Sequence, residues 1–106
     1  MTSTTALPLP TVSPEVRAFA AEHGAEEYLP NVVALARRVF PRAAMHIHVE
    51  GDPELSYNWE IVFEVSADGM EEEEQFQLHR QWTRELFQVC PSTHVHLFGL
   101  SLRHSA

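Results

Sequence analysis

Lysine is absent from this chain of 106 residues, which also has only one cysteine and four glycines. Without lysine, seven arginines stand against fifteen acidic residues, a formal net charge of −8. Neutralising phosphates takes clustered Lys or Arg, so this balance argues against nucleic-acid binding. It suits a soluble surface or a basic protein partner instead. A lone cysteine, Cys90, cannot form an internal disulfide, so nothing calls for an oxidising compartment. No apolar stretch approaches the ~20 residues that span a bilayer. Residues 1–12 also lack the charged and apolar regions of a standard signal peptide. A cytoplasmic protein without membrane contact is therefore expected.

Other absences narrow the chemistry. There is no Gly-x-Ser-x-Gly elbow, no glycine-rich phosphate loop, no His-Glu-x-x-His and no Cys-x-x-Cys. Cys90 precedes Pro91 at the end of a helical pattern, where the negative end of the helix dipole disfavours thiolate. It is expected to be a small buried hydrophobe. Glu60 and Glu64 read as members of a solvated face, where nothing would raise either pKa. No catalytic residue is assigned, no motif is diagnostic of a family, and an enzyme is not the leading expectation.

The composition, 44% hydrophobic and 21% charged, belongs to one globular domain. Residues 1–12 (MTSTTALPLPTV) read as a flexible leader and residues 13–106 as the domain. Ser13-Pro14 is a helix start, Val16, Phe19, Ala20 and His23 recur at helical spacing, and Gly24 is a stop. A second helix, from about Ala25 or Asn31 to Phe40, ends at Pro41. The period then changes from 3.6 to 2. Met45, Ile47 and Val49 alternate with His46, His48 and Glu50; Tyr57 to Val65 alternates likewise, and Gly51 to Glu54 turns the chain between them.

Asp68 with Glu71 has the spacing of a cap for a third helix, with Leu78, Trp82, Leu86 and Val89 as its core stripe and Phe76 and Phe87 flanking it. Trp59 and Trp82 are expected in the core. A third strand is predicted over Thr93 to Leu102, with a bulge at Gly99 returning Leu100 and Leu102 to the side of Val95 and Leu97. The order α-α-β-β-α-β predicts an α+β two-layer sandwich, a three-stranded, mainly antiparallel sheet with helices on one face.

Two His-x-His pairs stand out, His46-Ile47-His48 and His94-Val95-His96. In strands, residues i and i+2 share a face, so each pair would present two imidazoles to one side. Neutral imidazole is a ligand for divalent transition metals. The candidate metal site is therefore His46, His48, His94 and His96, and no other cofactor is implied. Spatial order 2-1-3 would bring the pairs together; order 1-2-3 would interpose the Glu-bearing strand and leave His/Glu pairs. An ordinary solvated sheet face accounts for the same residues and ranks above the metal on frequency.

On the same face Val62 and Phe98, ringed by His and Glu, are candidates for the apolar centre of an interface. The leading functional expectation is a non-enzymatic interaction module that self-associates or binds a protein partner through the open sheet face or an edge. The alternatives are a divalent-metal protein or metal-dependent enzyme using the four histidines, and an acidic antitoxin-like regulator of a basic partner.

Overall fold

The computed structural model describes residues 7–54 and 59–104. Helices α1 (Pro14–Glu22) and α2 (Leu29–Val39) precede strands β1 (Met45–Glu50) and β2 (Glu60–Ser66). Helix α3 (Glu72–Val89), a 3-10 turn (Val95–Leu97) and strand β3 (Phe98–Arg103) complete the chain. The predicted order α-α-β-β-α-β and the α+β class are therefore observed.

Local chemistry explains most of the boundaries. Ser13 Oγ accepts from the Val16 amide at 3.2 Å and Pro14 opens α1. At its other end Gly24, with φ of 71°, takes the left-handed conformation. Ala25 then donates to the Ala20 carbonyl at 2.7 Å and Gly24 to that of Ala21 at 3.3 Å, a Schellman ending. Helix α3 starts later than the Asp68 cap predicts. Gly69, with φ of 83°, turns the chain first, and Glu71 is the N-cap. Glu72, Glu73 and Glu74 still occupy the first turn, where the helix dipole favours them.

The sheet order is β1-β2-β3, with β1 antiparallel and β3 parallel to β2. Helix α3 is the crossover that parallel neighbours require. Alternation along each strand sends Ile47, Ile61, Phe63, Val65, Phe98 and, half-buried, Leu100 and Leu102 into one core with the helices. Phe63 is fully buried at its centre, its ring 5.3 Å from that of Trp82 and 6.5 Å from that of Phe98. Trp59 is only half-buried, while Cys90 is buried in the core as expected. Burial also pushes the Cys90 thiol pKa up, so it is held as a neutral thiol.

Two expectations change. The third strand begins at Phe98, so the bulge at Gly99 is unnecessary: Phe98, Leu100 and Leu102 already alternate onto the core face opposite Ile61, Phe63 and Val65. Residues 7–12, read as leader, are tied down: Leu7 donates to the Pro41 carbonyl at 2.9 Å and Val12 packs on the core. Residues 1–6 lie outside the described residues. So do Tyr57 and Asn58, expected in the second strand, which is observed from Glu60.

The Pro8 carbonyl accepts from Arg37 Nε at 3.1 Å, and the same guanidinium donates through Nη1 to Phe40 and Ala43 carbonyls at 2.9 and 2.8 Å. Arg37 is thus a buried clasp for the end of α2, beyond the dipole role its position suggests.

Candidate functional site

The face of the sheet away from the helices carries His46, His48 and Glu50 on β1, and Glu60, Val62 and Glu64 on β2. Gly99, Ser101 and Arg103 occupy it on β3. Register decides which of these meet. His46 is directly opposite Glu64, and His48 is opposite Val62, one pair further along. Cross-strand neighbours lie about 5 Å apart at Cβ and diagonal ones within reach of long side chains. His46, His48 and Glu64 therefore converge.

The convergence is close. His46 Nδ1 lies 3.3 Å from His48 Nδ1, the rings stacked with centroids 5.3 Å apart. Glu64 Oε1 is 4.0 Å from His48 Nδ1. One ligand atom from each of the three residues falls within 4.8 Å of the others. Among the described residues no other group of three His, Cys, Asp or Glu side chains comes so close.

Two neighbours orient these groups. Glu50 Oε1 stands 3.5 Å from His48 Nε2. A proton on Nε2 suits that carboxylate and leaves the Nδ1 lone pair facing His46 and Glu64. Arg103 Nε lies 2.8 Å from Glu64 Oε2 in an ion pair, and the other oxygen, Oε1, is the one on the side of His48. Such outer partners commonly fix the ring and carboxylate of a metal ligand.

Further along the face, Glu60 lies directly opposite Glu50, its carboxyl packed over Gly99. Burial first, and the Glu50 charge second, push the Glu60 pKa upward. The fully solvated environment expected for Glu60 is thus corrected: Gly99 leaves a hollow where a side chain would sit, and the carboxyl fills it.

The second histidine pair is elsewhere. His94 and His96 do not lie on a strand; His94 is the N-cap of the 3-10 turn after Pro91 and His96 lies within it. His94 and Val95 both donate to the Pro91 carbonyl, at 2.9 and 3.1 Å, and Leu97 donates to that of His94 at 3.0 Å. These turn bonds wind the segment three residues per turn, so i and i+2 no longer share a side. The His94 ring packs on Tyr28, centroids 5.4 Å apart, beside Gly24 at the α1–α2 connection. His96 is exposed. The four-histidine set of the sequence reading is therefore not assembled.

The expected interface centre also changes. Phe98, 5% exposed, faces the helices and belongs to the core. Val62 is on the open face, as expected, but only 6% exposed. Exposed aromatic surface lies instead on α3, where Phe76 and Phe87 are 57% and 55% exposed. Sequence reasoning placed both beside the core stripe without separating flank from surface.

Glu64, Glu50 and Arg103 were the site residues it missed. The signal for Glu64 was the conditional statement that order 1-2-3 leaves His/Glu pairs. Nothing in the sequence pointed to Arg103. No family model, no curated protein and no solved structure matches the chain.

Proposed function

We propose that this chain binds a divalent transition metal through His46 Nδ1, His48 Nδ1 and Glu64 Oε1. The observation that carries the reading is the 3.3 Å separation of the two imidazole nitrogens. Metal–nitrogen bonds of about 2.0–2.1 Å in tetrahedral geometry put two ligand nitrogens about 3.4 Å apart. The strand geometry thus holds two ligands at the distance a zinc-like ion needs, and Glu64 needs only a small side-chain movement to join. Glu50 and Arg103 hold the ligand atoms in their facing orientation. Three protein ligands leave a coordination position open, the arrangement of reactive or exchanging metal sites rather than closed structural ones. The cytoplasmic setting expected from the sequence is kept as part of this proposal.

Metal content of untagged, natively purified protein, followed by calorimetric titration with Zn2+, tests the reading. One equivalent per chain is expected, lost in the H46A/H48A variant. A wild-type protein that takes up no Zn2+, Co2+ or Ni2+ ends it.

A second reading, self-association, is favoured by α3 rather than the sheet face. Phe76 and Phe87 are eleven residues apart, about three helical turns, so they share one side of the helix. Arg80 lies over the Phe76 ring at 5.7 Å. Two antiparallel copies related by a two-fold axis would set each Phe76 against the other copy's Phe87. Sedimentation equilibrium of wild type and F76S/F87S decides: a dimer that becomes a monomer supports it, and a monomeric wild type refutes it.

A further inference from the structure

We propose that the metal site is a joint site for a cation and a small oxyanion, a carboxylate or a phosphate, which fills the open coordination position while contacting Arg103 and His104. This rests on the metal reading above. A groove of about 350 Å3 runs beside the cluster, and His46 and Glu64 are part of its wall together with Ser66, Arg103 and His104. Two of the proposed metal ligands therefore border the space from which a further ligand would approach. Its volume is at the small end for ligand sites, a size for a small acid or phosphate rather than a nucleotide.

The charge pattern along the face points the same way. Glu50 and Glu60 oppose each other at one end, and Ser66 pairs with Arg103 at the other. The histidine cluster lies between an acidic end and a cationic end, and the groove opens at the cationic end. Arg103 Nε forms an ion pair with Glu64 Oε2, and more than half of the Arg103 side chain is exposed. A guanidinium that borders the groove with much of its surface exposed suits an oxyanion. The Ser66 hydroxyl adds a neutral donor on the same wall. With the metal bound, the sum of ion, Arg103 and Glu64 leaves this end of the face positive, although the chain as a whole is acidic.

The test uses Co2+, whose visible absorption reports coordination number and ligand exchange. Co2+ is titrated first alone, then with acetate or methyl phosphate up to about 10 mM, the range in which single small-anion contacts saturate. The expected result is saturable change of the cobalt bands with either anion. In Arg103→Gln, Co2+ affinity should fall about tenfold with loss of the group that orients Glu64, and anion affinity, read at saturating Co2+, should also fall about tenfold or more, the size of a lost charge-assisted hydrogen bond.

His104→Ala, at a residue outside the three proposed ligands, should weaken the anion about threefold, as loss of one exposed polar contact would. It decides the matter should Arg103→Gln also lose cobalt. Bound Co2+ with bands indifferent to both anions overturns the joint site and leaves the metal reading standing. Equal anion response in wild type and both variants also overturns it, since the ion alone would then bind the anion. Absence of Co2+ binding overturns both.

Discussion

The chain contains the same three-residue pattern twice, and the two copies have different fates. His46-Ile47-His48 lies in β1, and its two imidazoles stand side by side over the sheet. His94-Val95-His96 caps and enters a 3-10 turn, with one imidazole packed on Tyr28 and the other in solvent. Both centre on a β-branched residue, so local propensity does not separate them. What separates them is the backbone's hydrogen-bond partner. The first pair bonds across to β2, whereas the second follows Pro91, whose carbonyl accepts from both His94 and Val95. A His-x-His pattern is a ligand pair only where the period is two.

The sharpest way to break this contrast is to remove each pair separately. H46A/H48A should lower Zn2+ affinity by at least about a hundredfold, beyond the loss usual for a supporting residue, while H94A/H96A should leave it within about twofold by calorimetry. Equal losses would mean that the two pairs act together, against the observed sheet order. A smaller effect concerns how the first pair is held. Glu50→Gln should weaken Zn2+ about tenfold through loss of the carboxylate that orients His48. An affinity unchanged in that variant would leave Glu50 as a bystander.

Stability should invert the order of importance. His94→Ala removes a ring packed on Tyr28 and should cost about 1 kcal/mol in denaturant unfolding. His46→Ala, on the exposed face, should stay within about 0.5 kcal/mol of wild type. A larger loss at His46 than at His94 would contradict the assigned environments.

The smallest expected effect lies at the acidic end of the same face. Glu60 and Glu50 are like charges in direct cross-strand opposition, so Glu60→Gln should stabilise the fold at pH 7 by roughly 0.2–1 kcal/mol. The pH dependence has a definite sign. Burial and Glu50 raise the Glu60 pKa in the folded state above its ordinary value of 4.5, so folding favours the protonated acid. The penalty is fully present above the folded pKa and disappears as pH falls below the unfolded value. The advantage of Glu60→Gln should therefore shrink between pH 7 and pH 4; an advantage that grows on acidification would refute the assignment.

Much of the fold was legible because its signals are local. Ser13-Pro14, Gly24, Pro41 and Pro91 act on their own backbone, and the shift from period 3.6 to period 2 after Ala44 needs no tertiary information. Phe98 was misplaced for a related reason. The run from Thr93 to Leu102 alternates well enough to pass for one strand, but the turn bonds to Pro91 reset the parity at Phe98. A short alternating run cannot distinguish a strand from a turn that enters one.

The candidate site was half legible. His46 and His48 share a face by strand geometry alone, and that much followed from sequence. Glu64 joins them only because β2 lies beside β1 in one particular register, and a slip by one residue would have sent its side chain to the other face. Arg103 arrives from β3, thirty-nine positions beyond Glu64, through the parallel pairing that α3 permits. Glu60 finds its hollow because Gly99, paired with Val62 on the neighbouring strand, has no side chain to fill it.

The amino-acid sequence by itself determined the elements, their order and the two-faced character of each strand, because capping, proline geometry and side-chain alternation act within a few residues. Only the tertiary structure decided which histidines meet a carboxylate, which aromatic rings stay exposed and where the charges of the open face collect. Those outcomes depend on strand order and register, which arise when distant segments share backbone hydrogen bonds and bury one common core.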